Sequence, residues 1–320
     1  MVANTSAAPH LMQTAAQVDV VERAGWWLLR LGFENKFMAL FALLFGASVM
    51  LAGSNQQRHE ARMLRLFPIG VLHGLLLFFG DILHAYAVWG FPLARLGKVH
   101  GKWLLLLGTL AFCWYLAVTT VVHSFEVQDA GVPNSGPPWL RLATASADPS
   151  DPAFIALETE VVRAGPSVDS TLYRMVVFTY VGIKGVFQTG CRVFALFLIG
   201  LWLTRRGLWD SPNRFRLICW GMPFGLLLEA AGIHRMSLGT PYAIWTTLTH
   251  ELGSVLLSLG LFVSLAHWQG EAGWFTRRIQ AGGRMALTVY LLQSAVMFAM
   301  AHSGYWGEFN RASVFGLAMV

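Results

Sequence analysis

Residues 103–122 read WLLLLGTLAFCWYLAVTTVV, twenty positions without a charged side chain. A helix needs about 20 apolar residues to cross the roughly 30 Å hydrocarbon core of a bilayer. The rest of the chain agrees with this stretch, because 55% of its 320 residues are hydrophobic and only 12% are charged. A soluble protein carries about 25% charged residues. The composition therefore predicts an integral membrane protein and excludes an ordinary soluble domain.

Seven further apolar segments predict an all-α, polytopic transmembrane helical bundle with about eight membrane segments. Residues 66–79 and 82–93 are separated by Gly80 and Asp81 and predict a hairpin of two short helices. The turn of this hairpin either reaches the outer side of the membrane or stops within it. The remaining segments are residues 37–52, 186–203, 217–233, 242–266 and 285–301.

Basic side chains concentrate in four connections, and an even number of apolar segments separates each cluster from the next. Because Lys and Arg favour cytoplasmic loops, this pattern predicts a multi-pass protein whose four clusters all face the cytoplasm. Residues 125–172, which are rich in turn-forming residues, are then an outer loop within a single transmembrane domain spanning residues 1–320. The clusters contain Arg58, Arg62, Arg65, Arg95, Lys98, Lys102, Arg205, Arg206, Arg214, Arg216, Arg277, Arg278 and Arg284.

The net charge of +6 does not predict a nucleic-acid partner, because the basic residues form no stripe with interleaved aromatic residues. The cysteines, Cys113, Cys191 and Cys219, lie far apart in apolar runs and are predicted to be buried small hydrophobic residues. His250 and Glu251 lack the second histidine of a His-Glu-x-x-His zinc motif, so we expect no metal site.

Three ionisable residues, His73, Asp81 and His84, lie in or beside the predicted hairpin. An ionised side chain at the centre of a membrane costs about 2.5–3.5 kcal/mol on insertion scales, which favours a functional role. A histidine paired with a carboxylate is suited to general base catalysis. The alternatives are that Asp81 caps the second short helix and that His73 hydrogen-bonds a neighbouring helix.

Residues 282–294 read GGRMALTVYLLQS and form a second group of candidates. Arg284, at the predicted start of a helix, is suited to bind phosphate or carboxylate, and Tyr290 and Gln293 lie one turn apart. The alternatives are a snorkelling anchor for Arg284 and interhelical hydrogen bonding for Gln293. Further ionisable pairs at membrane depth are Glu229 with His234, and His250 with Glu251.

Three segments resemble signatures of the YeiB-like family of bacterial membrane proteins, whose domain has no assigned function. These segments are residues 34–47 (ENKFMALFALLFGA), His73 with residues 80–87 (GDILHAYA), and residues 283–294. The family distantly resembles the transmembrane acyltransferases, which transfer an acyl group from cytoplasmic acyl-CoA to an acceptor across the membrane. The resemblance implies a location in the bacterial inner membrane.

The resemblance implies a transmembrane acyltransferase that uses acyl-CoA, an envelope glycan or lipid acceptor, and no tightly bound cofactor. His73 is then the general base and Asp81 orients it, with Arg284 at the inner face and Asp81 at the outer face. The alternative is a transporter or permease for a small or lipidic solute, so enzymatic activity stays open. The implied substrate-binding residues are Asn4, Lys36, His84, Tyr86, Arg284, Tyr290 and Gln293.

The chain departs from the family pattern at both ends and at one motif position. The family's first helix is missing, although residues 2–4 resemble its last turn, and the family's closing helix is absent. Val289 stands where the family usually has Asn. We therefore expect a chain truncated at both ends.

Overall fold

The computed structural model describes residues 20–33, 35–51, 55–126, 134–144, 153, 156–157, 160–161, 167–207, 213–237, 244–267 and 273–302. Helices and turns account for these residues and no strand occurs among them, which confirms the all-α prediction. The α-helices are α1 (Val20–Gly32), α2 (Lys36–Leu51), α3 (Gln56–Leu76), α4 (Leu83–Gly90), α5 (Leu93–Leu96), α6 (Gly101–Glu126), α7 (Pro138–Thr144), α8 (Val168–Phe187), α9 (Thr189–Arg205), α10 (Asn213–Arg216), α11 (Met222–Ser237), α12 (Ile244–His267), α13 (Trp274–Arg284) and α14 (Ala286–His302). A π-helical segment, Leu217–Gly221, joins α10 to α11.

The described residues contain fewer candidate membrane spans than the predicted eight segments. Among the described residues, three helices are long and apolar enough to cross a bilayer: 30–51, 101–121 and 244–265. Helices α8 and α9, which meet at a 40° bend, raise the number to four if they form one span. The other apolar segments give helices that are short, such as α4 with 8 residues, or begin in a charged turn, as α3 does.

The predicted hairpin is formed by α3 and α4, although α3 has 21 residues and is not short. The side chain of Asn55 caps α3 by accepting a hydrogen bond from the backbone N of Arg58 at 3.1 Å. A Cβ on Gly70 would lie 2.4 Å from the backbone N of His84, so glycine permits the close approach of α4. This approach brings the polar side chains of the two helices together.

Glycines also permit the closest crossing inside the bundle, between α2 and α9. A Cβ on Gly46 would lie 2.0 Å from the carbonyl oxygen of Phe197, and one on Gly200 would lie 2.1 Å from that of Leu43. Small residues at a crossing are typical of membrane helices, which associate through close backbone packing. Leu43 and Phe197 are fully buried there, in the main hydrophobic core.

Helices α11 and α12 cross in the same way around two polar residues. A Cβ on Gly253 would lie 2.5 Å from the backbone N of Glu229, and one on Gly232 would lie 2.8 Å from that of His250. The crossing therefore places the side chains of Glu229 and His250 side by side in the interior.

Large hydrophobic side chains point outward over much of the described surface. Trp220 is 78% exposed, and Leu110 and Trp114 on α6 are each 57% exposed. This pattern is expected where lipid replaces water. It also explains why the predicted burial of Cys113 and Cys219 is wrong, because an apolar helix face can point toward lipid; Cys191 is buried as predicted.

The predicted outer loop, residues 125–172, is shorter than expected because α6 continues to Glu126 and α8 begins at Val168. A satellite hydrophobic cluster forms within and beside this loop. The side of the membrane on which the loop lies stays a prediction. The cluster contains the buried Leu142, Leu157 and Val161 with Trp139 and Tyr173.

Replacement of Gly46 by Ala tests the α2–α9 crossing. We expect Gly46→Ala to destabilise the protein by about 1–3 kcal/mol, because the added methyl group overlaps the Phe197 carbonyl and forces the helices apart. The thermal unfolding midpoint of the purified protein in detergent measures the effect. Gly185→Ala on α8 is the control, since a Cβ there meets nothing within 4 Å; equal midpoints for the two variants would contradict the crossing.

Candidate functional site

A buried polar centre lies where α3 ends and α4 begins. The Nδ1 atom of His73 donates a hydrogen bond to Oδ1 of Asp81 at 2.9 Å. The two side chains are almost fully buried, with relative exposures of 4% for His73 and 3% for Asp81. Local geometry produces the pair, because the backbone N of Asp81 donates to the carbonyl of Phe78 at 3.0 Å and folds the chain back toward α3.

Asp81 has two structural roles that the sequence presented as alternatives. Its Oδ2 atom accepts a hydrogen bond from the backbone N of Leu83 at 2.9 Å, so the carboxylate satisfies a donor at the first turn of α4. Its Oδ1 atom accepts from His73 at the same time. The helix-end contact and the histidine contact therefore coexist on one carboxylate.

Tyr290 from α14 also contacts the carboxylate of Asp81. Its hydroxyl donates to Oδ1 of Asp81 at 2.9 Å, across 209 residues of sequence. Its ring also lies 5.1 Å, centroid to centroid, from the imidazole of His73. The structure thus brings together residues from the second and third signature segments.

His84 contacts the other side of the same carboxylate. Its Nδ1 atom lies 3.5 Å from Oδ2 of Asp81, and its Nε2 atom lies 3.1 Å from the carbonyl oxygen of Gly182 on α8. The Nε2 contact has the distance of a hydrogen bond, whereas Nδ1 has no hydrogen-bond partner among the described residues. The ring of Phe178 packs edge-on against His84, with 5.2 Å between centroids.

The Nε2 atom of His73 is the chemically distinctive atom of this centre. It is buried and has no hydrogen-bond partner among the described residues. Because Nδ1 donates its hydrogen to Asp81, Nε2 carries the lone pair of the neutral ring. This arrangement, a histidine with one nitrogen fixed by a carboxylate and the other available, is that of a general base.

Arg284 ends α13 with an exposed side chain, six residues before Tyr290 of α14, whose hydroxyl contacts Asp81. A turn at Met285 separates the two helices. The placement of Arg284 and Asp81 at opposite faces of the membrane stays a prediction.

The remaining predicted binding residues are not part of this centre. Tyr86 is buried and donates to the carbonyl of Met38 at 3.0 Å, between the rings of Phe45 and Phe197. Gln293 has an exposed side chain on α14. Asn4 lies outside the described residues.

Lys36 belongs to a second buried cluster instead. Its Nζ atom forms an ion pair with Oε1 of Glu229, and Oε1 also lies 3.1 Å from Nδ1 of His250. Asn35 reaches the other nitrogen of the same imidazole, with 3.1 Å between Nδ2 and Nε2. The sequence predicted Glu229 to pair with His234, but His234 is exposed and stacks near Trp27.

A third buried ion pair lies beside the second cluster. The Nε atom of Arg192 is 2.8 Å from Oε2 of Glu251, and the hydroxyl of Tyr115 donates to Oε1 of Glu251 at 2.9 Å. Ser254 accepts a hydrogen bond from Nη2 of Arg192 at 3.0 Å. Sequence reasoning missed this pairing, although a lone Arg and a lone Glu within apolar segments are a signal that each requires a partner.

No group of three or more His, Cys, Asp or Glu side chains with metal-binding geometry occurs in the described part of the chain.

Comparison with known proteins finds a family and two relatives whose names assign no activity. A family model described as a protein of unknown function (DUF418) matches residues 198–320, which contain Tyr290 but neither His73 nor Asp81. The Uncharacterized protein YeiB of Escherichia coli (strain K12) is 43% identical over 72 residues, which cover 22% of this chain and 19% of that protein.

A second relative matches most of the chain. The Uncharacterized protein YxaH of Bacillus subtilis (strain 168) is 22% identical over 289 residues, covering 84% of this chain and 67% of that protein. No solved structure matches. The match to residues 198–320 includes the signature segment at residues 283–294, and together the matches support a YeiB-like family of unknown function.

Proposed function

We propose that the protein is a membrane acyltransferase that moves an acyl group from acyl-CoA to a hydroxyl or amine acceptor of the bacterial envelope. The observation that carries this proposal is the buried Nε2 atom of His73. It has no hydrogen-bond partner among the described residues, while Asp81 holds Nδ1. The proposal also rests on the resemblance of the chain to transmembrane acyltransferases.

In the proposed reaction His73 acts first as a general base and then as a general acid. Nε2 accepts the proton of the acceptor hydroxyl as its oxygen forms a bond to the thioester carbonyl carbon. When the carbon–sulfur bond breaks, the imidazolium returns that proton to the CoA thiolate, so no net proton is consumed. Asp81 stabilises the imidazolium, and Tyr290 and Leu83 keep the carboxylate in position.

The position of Arg284 supports a cytoplasmic donor. We propose that all four basic clusters face the cytoplasm, within a bundle of about eight membrane segments that includes the shorter helices. Arg65 lies eight residues before His73 on α3, or about 12 Å of helical rise, and Arg284 ends α13 six residues before Tyr290. If the CoA phosphates of the donor bind Arg284, the thioester must then reach from the cytoplasmic face to His73.

The direct test incubates purified full-length protein with labelled acetyl-CoA and cell-envelope extract. We expect labelled acyl product with the wild-type protein and a loss of about 10²–10⁴-fold in rate with His73→Ala or His73→Gln, since both remove the general base. His100→Gln is the control, because His100 is exposed and lies outside the centre.

Two results would contradict the enzyme. One is acyl transfer that is equally fast in wild type and in both His73 variants, with folding verified by the thermal midpoint. The other is the absence of transfer together with proton-coupled uptake of a solute into liposomes, which is the behaviour of a transporter.

Tyr290→Phe tests the contact between α14 and the hairpin. Loss of the hydroxyl removes one hydrogen bond to a buried carboxylate, so we expect a destabilisation of about 1.5–3 kcal/mol and slower acyl transfer. Thermal unfolding in detergent measures the first effect. Tyr180→Phe is the matched control, because Tyr180 is 68% exposed; the contact is wrong if both variants unfold at the same temperature.

Arg284→Ala tests donor binding. We expect the KM for acyl-CoA to rise about tenfold with little change in kcat, since a phosphate contact worth about 1.4 kcal/mol is lost from both ground state and transition state. Arg278→Ala is the control, because the guanidinium of Arg278 stacks 4.4 Å from the ring centroid of Trp274 in the same helix. Equal KM changes in the two variants would indicate a general charge effect and no specific site.

A further inference from the structure

The second buried cluster combines four polar side chains that the proposed acyl transfer does not use. Lys36 is 2% exposed, Glu229 is 0% exposed and His250 is 5% exposed, and Asn35 lies half-buried at the junction between α1 and α2. The residues come from three places in the chain and meet where α2, α11 and α12 pack together. Ionisable side chains within a membrane are costly, and proton relays and ion pathways are among their known uses.

The two carboxylate oxygens of Glu229 have different numbers of partners. Oε1 contacts both Nζ of Lys36 and Nδ1 of His250, whereas Oε2 is buried and has no hydrogen-bond partner among the described residues. With Lys36 protonated, as its ion pair with Glu229 implies, one negative charge faces one ammonium group and one imidazole. The cluster is neutral when His250 is neutral and carries one positive charge when His250 binds a proton.

Asn35 is placed to accommodate both states of His250. Its backbone φ is +62°, in the left-handed region that Asn adopts more readily than most residues. With Nδ2 facing Nε2 of His250, the amide donates to the lone pair of a neutral ring. Rotation of the amide presents its carbonyl oxygen instead, which accepts from the N–H of a protonated ring.

The surroundings leave His250 as the group whose charge can change. Glu251, the next residue on α12, is already paired with Arg192 of α9 and Tyr115 of α6. Glycines at positions 232 and 253 hold α11 against α12 at the cluster, which restricts the side-chain movements available there. The charged and titratable groups that face His250 or its neighbour are Lys36 from α2, Glu229 from α11, Glu251 on α12, Arg192 from α9 and Tyr115 from α6.

We propose that the Asn35–Lys36–Glu229–His250 cluster is a reversible binding site for one proton, held on His250 and separate from the His73–Asp81 centre. Asn35 is the partly exposed member of the cluster, whereas the other three side chains are buried. Glu229 stabilises the bound proton and Lys36 opposes it. This site does not depend on the acyltransferase proposal.

Nitrogen NMR of the full-length chain in lipid nanodiscs, with ¹⁵N-labelled histidine, tests the site directly. The His250 signal is assigned by its loss in His250→Gln. As the pH is lowered from about 8.5 to about 5, we expect the His250 signal to change from that of a neutral ring to that of an imidazolium. Glu229→Gln moves the midpoint of this change to lower pH and Lys36→Met moves it to higher pH, each by about one pH unit, because an opposite and a like charge are removed.

Asn35→Asp is a further variant. It tests whether His250 binds the proton even if substitution of Lys36 or Glu229 prevents folding. An added carboxylate beside Nε2 keeps His250 protonated to higher pH, while the backbone conformation at position 35 is one that Asp also adopts. His73→Ala is the control and leaves the His250 midpoint unchanged. A His250 signal that stays neutral throughout, or a midpoint that none of these three cluster variants moves, would overturn the proposal.

Discussion

The constraint on which this structure depends is the cost of placing charged side chains among helices that face lipid. Asp81, Glu229 and Glu251 are each at most 5% exposed. Each carboxylate is matched by basic or hydrogen-bonding partners from other helices. An unpaired charge in such surroundings costs several kcal/mol, so these contacts fix which helix faces meet. The bundle is therefore organised around its polar contacts as well as its apolar core.

The three carboxylates differ in what their partners leave available. Glu251 is enclosed by Arg192 and Tyr115. Glu229 shares one oxygen between a lysine and a histidine, which makes its cluster sensitive to one added proton. Asp81 orients His73 and leaves the second nitrogen of that ring without a partner among the described residues. Only the last arrangement provides a base for chemistry on a substrate.

The sequence predicted local features of the site better than long-range ones. His73 and Asp81 are eight residues apart with a glycine before the acid, so a hairpin that joins them was foreseeable. Tyr290 was recognised as a candidate, but nothing in its spacing indicates a contact 209 residues away. The family resemblance implies substrate binding for Lys36, whereas its partner in the structure, Glu229, lies 193 residues later and no periodicity links the two.

The fold shows the same division between local and global information. Apolar runs predicted the positions of the helices, since hydrophobicity is a property of the segment itself. They did not predict the number of spans or which faces point outward, because lipid and protein interior are equally apolar. The exposed Cys113 and the unforeseen α8 are examples. Glycine crossings such as Gly46 with Phe197 depend on a partner helix and leave no signal in one segment.

A double-mutant cycle between Asp81→Asn and Tyr290→Phe measures the central contact most directly. The unfolding free energies of wild type, both single variants and the double variant give the coupling between the two side chains. Our account predicts a coupling of about 0.5–3 kcal/mol, as found for residues in one hydrogen-bond network. Effects that add to within about 0.5 kcal/mol would mean that α14 does not contact the hairpin carboxylate, and the proposed centre would not exist.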